Sequence, residues 1–235
     1  MIINSEFESE IAGEDIFTIE DFSDLEKLDE ELAEFNSHMI VKIDQTEVDK
    51  INYFLKKGFF FSANTIYLEC KINCVLNVTD SAYFRNLNLR NREELNRISD
   101  DSFYENNRFA NDPLLSNFVI QLHRKWIENS LKGYADYCCG FVNKAKIIGF
   151  ATLKIYENYS IIDLLTTDHK FRKRGVALKL IQHLQQYSLS KGINIIKVAT
   201  ESVNWPAINL YFKSNFKVYG CKMSLYRAKN KNCYI

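Results

Sequence analysis

A basic hexapeptide at residues 172–177 precedes a stretch with helical apolar periodicity, and its residue types suit the binding of an anion. The first N–H groups of a helix lack intrahelical partners and lie at the positive end of the helix dipole, so phosphates bind there. Gly175 lets the backbone approach such a group closely, and the cationic residues before it add charge. The segment predicts a diphosphate site, although an ordinary basic loop has the same composition; its members are Arg172, Lys173, Arg174, Gly175, Val176 and Ala177.

The apolar strand expected before this turn, at residues 160–167, offers a second kind of contact. If this strand diverges from its neighbour, the backbone groups of Leu165, Thr166 and Thr167 are free to pair with the amides of an extended ligand. A backbone N–H at the same place can also stabilise the oxyanion of a tetrahedral intermediate. The sequence alone leaves open whether the strand diverges.

A second helix, expected at residues 206–214, carries residue types suited to proton transfer. Asn204 stands where a side chain usually caps a helix, and Tyr211 follows nearly two turns later on the same side. A phenol can act as the general acid that protonates a departing thiolate. The alternative is a simple helix cap followed by a tyrosine that only packs.

These motifs, in this order, resemble the GNAT superfamily of acetyl-CoA-dependent N-acetyltransferases over residues 83–227. The resemblance implies that the basic turn holds the pyrophosphate of coenzyme A and that Tyr211 protonates the thiolate. It adds Asn204 and Ala207 to the residues expected to bind acetyl-CoA. The family usually has glycine where Asn215 stands, but asparagine tolerates the left-handed conformation.

The same resemblance implies the fold class. We expect an α/β (α+β) protein of the GNAT acyl-CoA N-acyltransferase fold, with a mixed, mostly antiparallel sheet flanked by helices. A GNAT domain is expected at residues 78–235, after a smaller N-terminal partial GNAT-like domain at residues 1–77.

A narrower resemblance, carried by residues 103–139 and by the segment VATESVNWPAINLYFKSNF, is to the dTDP-fucosamine (dTDP-4-amino-4,6-dideoxygalactose) N-acetyltransferases of enterobacterial common antigen synthesis. It implies acetylation of the 4-amino group of a nucleotide-linked 4-amino-4,6-dideoxyhexose for a surface polysaccharide such as O-antigen, by a homodimer. Arg108 is a candidate for the acceptor's diphosphate, and Phe109 is a candidate for stacking on its base or sugar. For each of them, an ordinary loop residue is the alternative.

Composition excludes several function classes. Thirty basic and thirty acidic residues cancel among 235, which argues against a nucleic-acid partner. The acidic N-terminus lacks the apolar core of a signal peptide, and no apolar run approaches the roughly 20 residues that span a bilayer. We therefore expect a cytoplasmic protein without a membrane partner. Six scattered cysteines, with no second pair at zinc-finger spacing, predict reduced thiols and no metal.

Two segments of the chain, one in each half, have similar sequences. Residues 50–70 align without gaps on residues 207–227, with Phe54 opposite Tyr211. One interpretation is that two helix-and-hairpin units share a hydrophobic pattern by chance. The other is that the N-terminal domain is a partial copy that serves as a scaffold, because its phenylalanine lacks the hydroxyl group. Two separate strands are expected at the C-terminal end, around residues 216–219 and 222–227.

The base that deprotonates the amine is not evident from the sequence; a chain of water molecules to solvent or a carboxylate could accept the proton. Asp163, on the strand before the basic turn, is a candidate, and a solvated aspartate at a strand edge is the alternative. Two other functions remain open: a GNAT enzyme that acetylates another small amine, an antibiotic or a peptide, and a non-catalytic acyl-CoA-binding module.

Overall fold

The computed structural model describes residues 1–73, 83–100 and 114–229. Their contacts divide them into two compact units, which are described separately. The first unit contains residues 1–65, 114–119 and 221–229, and the second contains residues 66–73, 83–100 and 120–220. The domain boundary expected between residues 77 and 78 lies outside the described residues and stays a prediction.

The first unit is a small mixed sheet with helices between its strands. Its elements are β1 (Ile2–Asn4), α1 (Glu6–Ala12), β2 (Ile16–Ile19), α2 (Leu25–Glu34), β3 (His38–Asp44), α3 (Val48–Lys56) and the beginning of β4 (Phe60–Lys71). The sheet order is β1-β2-β3-β10, where β10 is Lys217–Arg227 and contributes its C-terminal half. β2 and β3 run parallel, and the other neighbouring strands of this unit run antiparallel.

Alternation of apolar and polar residues along β3 places one face of this sheet against α2 and α3. Phe54 is fully buried in the resulting cluster, and Phe59 packs edge-on against it. Gly58 ends α3 with φ of +81°, the left-handed conformation expected of a glycine just past a helix. α3 therefore ends at Lys56, two residues before this glycine.

The second unit has a larger sheet with helices on both faces. Its elements are the end of β4, β5 (Phe84–Asn86), α4 (Arg92–Asp100), α5 (Val119–Asn129, from Ile120), β6 (Tyr137–Asn143), β7 (Lys146–Ile155), β8 (Ser160–Thr167), α6 (Val176–Ser190), β9 (Ile195–Glu201), α7 (Trp205–Lys213) and the start of β10. The order is β4-β9-β8-β7-β6-β5. β8 and β9 are parallel, whereas β5, β6, β7 and β8 pair antiparallel in sequence.

Two apolar clusters cover the two faces of this sheet. We call the face that carries Ile162 and Val198 the α6 face, because both side chains belong to the cluster around α6 and α7. We call the opposite face, with Phe150 and Leu164, the α4 face, because these side chains pack against α4 and α5. The predicted fold class, a mostly antiparallel mixed sheet flanked by helices, is confirmed.

The order of elements repeats along the chain. Apart from α1, which lies between β1 and β2 and has no counterpart between β7 and β8, the N-terminal series β1-β2-α2-β3-α3-β4 corresponds to β7-β8-α6-β9-α7-β10 in the C-terminal part. In both series the first two strands are antiparallel, and a helix connects the second strand to a parallel third strand. This order agrees with the alignment of residues 50–70 on residues 207–227.

One expectation about the C-terminal end was wrong. The two strands expected at residues 216–219 and 222–227 form a single strand, β10, because Gly220 continues the extended chain instead of turning. In the described part of the chain, none of the helices combines the length and apolarity that crossing a bilayer requires.

Candidate active site

The basic turn has the backbone shape of an anion nest. Lys173 and Gly175 both adopt left-handed conformations, with φ of +60° and +78°. Gly175 is the N-cap of the 15-residue helix α6, and it has no side chain that could accept a hydrogen bond from the first N–H groups of this helix. The first turn of α6 therefore presents backbone donors, with Arg172, Lys173 and Arg174 beside them. This arrangement fits a pyrophosphate.

A buried carboxylate fixes the segment that leads into this turn. Asp168 caps a short 3-10 turn by accepting a hydrogen bond from the Lys170 N–H at 3.0 Å, and its own N–H donates to the Ile148 carbonyl at 2.9 Å. Arg97 of α4 donates to its carboxylate at 3.2 Å. Burial raises the pKa of Asp168, but the Lys170 N–H and the Arg97 guanidinium outweigh it and leave the pKa below its usual value.

β8 and β9 diverge next to the turn. Their parallel register begins at Ser160 with Ile196 and ends at Ile162 with Val198, although β8 continues to Thr167 and β9 to Glu201. Leu165 and its neighbours therefore lie beyond the last registered pair of β8 and β9. This is the divergence that strand addition requires, and it opens toward the same end of β8 that carries the basic turn.

A β-bulge marks the point of divergence. β7 pairs Leu153 with Ile162 and Thr152 with Leu164, so Asp163 is the extra residue in β8. Bulges often occur beside active sites because they redirect a side chain. Here the bulge shifts β8 from Ile162 on the α6 face to Leu164 on the α4 face.

Asp163 is an exposed residue whose carboxyl group nevertheless has a raised pKa. Burial raises its pKa to about 6; the nearby Lys154 lowers it, and Asp136 raises it. The charge of Asp163 in turn raises the pKa of the neighbouring Tyr134 and Cys138, although burial is the larger cause for both. Cys138 is registered with Thr152, and Thr152 with Leu164, so these neighbours place the Asp163 side chain on the α4 face, where it is exposed.

Tyr211 lies on the other face of the sheet. It is 5% exposed, belongs to the α6-face cluster, and its ring centroid is 5.4 Å from that of Phe216. Burial raises its pKa well above the usual value, so the phenol is protonated at every physiological pH. Val176 belongs to the same cluster, and Leu165 and Ala207 pack against it.

Asn204 has a clear structural role at the start of α7. Its side-chain oxygen accepts a hydrogen bond from the Ala207 N–H at 3.3 Å, and its amide nitrogen donates to the Thr200 hydroxyl at 3.2 Å. The predicted helix cap is confirmed. Asn215 adopts φ of +65°, as expected for the position where the family has glycine.

The predicted site residues fall into three groups. The first comprises those that the fold gathers around the start of α6 and the end of β8: Leu165, Thr166, Thr167, Arg172, Lys173, Arg174, Gly175, Val176 and Ala177. The second, on α7, comprises Asn204, Ala207 and Tyr211. The third, Arg108 and Phe109, lies outside the described residues, so their roles stay predictions. The roles of the first two groups in binding and catalysis also stay predictions.

Two further residues that shape this site, Asp168 and Gly149, were not among those predicted from the sequence. Asp168 had a recognisable signal, because aspartate often caps a turn that follows a strand. Gly149 had another: an isolated glycine inside a strand often marks a close approach of backbone. A Cβ at Gly149 would lie 2.8 Å from Val176 Cγ1 and 3.0 Å from the Thr166 carbonyl oxygen. Only glycine lets α6 pack this closely against the end of β8.

Comparison with known proteins agrees with this geometry. The family model described as "Acetyltransferase (GNAT) family" matches residues 92–216, more than half of the chain. The chain belongs to the GNAT family. The predicted acetyl-CoA-dependent N-acetyltransferase class is thereby confirmed at the level of the family, which uses acetyl-CoA.

Individual relatives are more distant. Streptothricin acetyltransferase of Escherichia coli is 28% identical over 117 residues, which cover 49% of this chain and 67% of the relative. The dTDP-fucosamine acetyltransferase of Escherichia coli O6:H1 is 27% identical over 112 residues, which cover 46% of each protein. The chain thus matches less than half of the latter relative's length.

A solved structure supports the fold alone. The GCN5-related N-acetyltransferase from Sphaerobacter thermophilus superposes with a TM-score of 0.61 at 10% identity, covering 84% of this chain and 62% of that one. No cluster of three or more histidine, cysteine or acidic side chains suited to a metal occurs among residues 1–73, 83–100 and 114–229.

Proposed function

We propose that this protein transfers the acetyl group of acetyl-CoA to the 4-amino group of a nucleotide-linked 4-amino-4,6-dideoxyhexose, with a dTDP-sugar as the acceptor to test first. The observation that carries the acyl-transfer part is the divergence of β8 from β9 beside a left-handed, basic helix start. The acceptor class rests on the likeness of residues 103–139 to the dTDP-fucosamine enzymes, and on the relative of that name. A homodimer and a role in surface polysaccharide synthesis belong to the same proposal.

In this mechanism the turn at residues 172–177 holds the pyrophosphate, and the diverging edge of β8 pairs with the pantetheine amides. The thioester then lies near the start of the divergence, at Ile162 and Val198, because that is where the opening between the strands ends. Tyr211 and Asp163 lie on opposite faces of the sheet near this point. In this proposal Tyr211 supplies the hydrogen-bond donor from one face and Asp163 supplies the base from the other, and the acetyl group passes directly from sulfur to the amine.

Tyr211 acts at the sulfur. An ordinary tyrosine has a pKa of about 10 and a thiol about 8.5, so complete transfer to a free thiolate is uphill by about 2 kcal/mol. The phenol therefore acts first as a hydrogen-bond donor to the charge that develops as the C–S bond breaks. Because burial raises the pKa of Tyr211 further, the phenol keeps its proton while it donates this hydrogen bond, and the released thiolate takes its proton from solvent.

Asp163 acts at the amine. The acceptor nitrogen must lose a proton before or during its attack on the carbonyl carbon, and a carboxylate with a pKa of about 6 is ionised at neutral pH. Its position at the bulge places it on the α4 face, away from Tyr211. The nitrogen then forms the new C–N bond while its proton passes to Asp163.

A second candidate is acetylation of an antibiotic amine, because the relative with the larger matched share is a streptothricin acetyltransferase. A panel assay separates the two. Release of thiol from acetyl-CoA is measured with dTDP- and UDP-linked 4-amino sugars, with streptothricin, and with simple diamines. We expect the highest kcat/KM with a nucleotide-linked amino sugar. Preference for streptothricin would replace the proposal, and absence of turnover with every amine would favour an acyl-CoA-binding module.

The N-terminal unit plays no chemical part in this proposal. Phe54, which aligns with Tyr211, is fully buried in an aromatic cluster and has no hydroxyl group to donate. We therefore propose that residues 1–77 are a partial GNAT-like copy that serves as a scaffold.

A further inference from the structure

The direction from which the acceptor must arrive follows from the position of the basic turn. That turn follows the C-terminal end of β8, whereas the registered pairing of β8 with β9 occupies the N-terminal end and stops at Ile162. A thioester carrier held at the turn therefore extends along β8 toward its N-terminal half. The acceptor reaches the carbonyl from the opposite side, over the α4 face of the paired half of these strands.

This part of the α4 face carries an ordered series of side chains. Asp163 lies at the bulge. Next along the sheet, Lys154, Ile161 and Lys197 form a row across β7, β8 and β9, because they are registered partners. Tyr156 lies beyond them, at the end of the β7–β8 hairpin.

The hairpin end presents a stacked aromatic surface. The rings of Tyr156 and Tyr159 are 4.8 Å apart with an interplanar angle of 21°, and Tyr156 is 39% exposed. The Lys197 ammonium lies 4.3 Å from the centroid of the Tyr159 ring and 4.0 Å from a carboxylate oxygen of Glu69. An aromatic platform and a cation therefore adjoin each other, which is the combination that binds a nucleobase and a phosphate.

Distance along the strand fits one extended ligand. Tyr159 and Asp163 are four residues apart, and at about 3.3 Å per residue this is roughly 13 Å. The order from Asp163 is carboxylate, cation and aromatic stack. A nucleotide-linked amino sugar has the complementary order of amine, diphosphate and base.

We propose that the α4 face from Asp163 to Tyr156 is the acceptor subsite, in which Tyr156 stacks on the nucleobase and Lys197 contacts the diphosphate of the sugar nucleotide. This inference rests on the proposed function and adds the residues that select a nucleotide-linked acceptor.

The test compares two acceptors that share the same amino sugar. One is the dTDP-linked sugar, and the other is its methyl glycoside, which has neither base nor phosphate. Tyr156→Ala should lower kcat/KM for the dTDP-sugar by about 5- to 100-fold, the usual range for loss of one base stack, and leave the methyl glycoside unchanged. Tyr156→Phe keeps the ring and should behave like the wild type.

Tyr83→Ala is the matched control, because Tyr83 is also exposed (46%) and stacked, on Phe141 in the α6-face cluster. It should leave the ratio of the two kcat/KM values unchanged. An unchanged ratio in Tyr156→Ala as well would overturn the subsite. Binding of dTDP alone, measured by calorimetry, should weaken in Tyr156→Ala and Lys197→Met.

The calorimetric measurement separates this inference from the proposed function. If the wild type binds dTDP through Tyr156 but acetylates no sugar nucleotide, the nucleotide subsite stands and the acceptor assignment fails. If the wild type acetylates the dTDP-sugar and Tyr156→Ala does so equally well, the acceptor assignment stands and the subsite fails. If the wild type neither binds dTDP nor acetylates dTDP-sugars, both are wrong.

Discussion

Replacing Gly149 by alanine tests whether the close packing of α6 on β8 shapes the site for acetyl-CoA. The added Cβ would lie 2.8 Å from Val176 Cγ1, 3.0 Å from the Thr166 carbonyl oxygen and 3.3 Å from Leu180 Cδ1. The first distance is too short for carbon atoms, and the second partner is backbone, which cannot rotate away. Relief therefore requires α6 to move away from the end of β8.

The magnitude follows from overpacking. Adding a methyl group to a well-packed interior costs about 1–3 kcal/mol. For a chain of this size, each kcal/mol lowers Tm by roughly 2–4 °C. Because Val176 begins the helix that is proposed to hold the pyrophosphate, we also expect KM for acetyl-CoA to rise about tenfold, with a smaller change in kcat at saturation.

Thermal unfolding and steady-state kinetics at varied acetyl-CoA concentration measure both effects. Gly140→Ala is the matched control, because its Cβ would lie 3.0 Å from Leu87 Cδ2, the mobile end of a side chain away from the turn. It should cost less stability and leave KM unchanged. If Gly149→Ala loses stability but keeps the wild-type KM, the packing does not shape the site; if neither changes, the helix contact itself is wrong.

Three further predictions concern the chemistry. Tyr211→Phe should lower kcat by about 10²–10⁴-fold while Tm and KM for acetyl-CoA stay close to the wild type, and an unchanged rate of thiol release would remove the phenol from the mechanism. The activity of the wild type should fall as pH drops through about 6, where Asp163 becomes protonated. Asp163→Asn should have a low activity that does not change with pH around 6. Because the folded-state pKa of Asp163 exceeds the ordinary 3.8, its contribution to stability is present below pH 3.8 and is lost as pH rises through about 6. Tm measured over this pH range should therefore show a decrease in the wild type that is absent in Asp163→Asn. Gly175→Ala should cost about 1–2 kcal/mol of stability, because a side chain disfavours φ of +78°, and should raise KM for acetyl-CoA; a wild-type KM would show that the nest does not hold the pyrophosphate.

Much of the fold could be predicted because its signals are local. The predicted strand at residues 160–167 matches β8, and the helical periodicity that follows the basic turn corresponds to α6. Apolar periodicity and a glycine at each helix end were enough for this. The single strand β10 was missed because a glycine in an extended strand looks like a turn in the sequence.

The environments of side chains were harder to predict than the elements that carry them. Tyr134 is 54% exposed, with its ring beside the Lys154 ammonium. Its helix ends in a kink at Gly133, where φ is +107°, and this turns the next residue outward. No periodicity in the sequence specifies such a local change of direction.

The sequence by itself determined the basic turn, the helix that follows it, the capped helix with Tyr211, and through them the family. These features depend on residues close together in the chain, whose backbone preferences and charges act locally. Only the tertiary structure decided where β8 leaves β9, that Asp163 is the bulged residue, and that Tyr211 and Asp163 lie on opposite faces of the sheet. Register between strands and the desolvation of a carboxylate arise from contacts between distant parts of the chain, and no single segment encodes them.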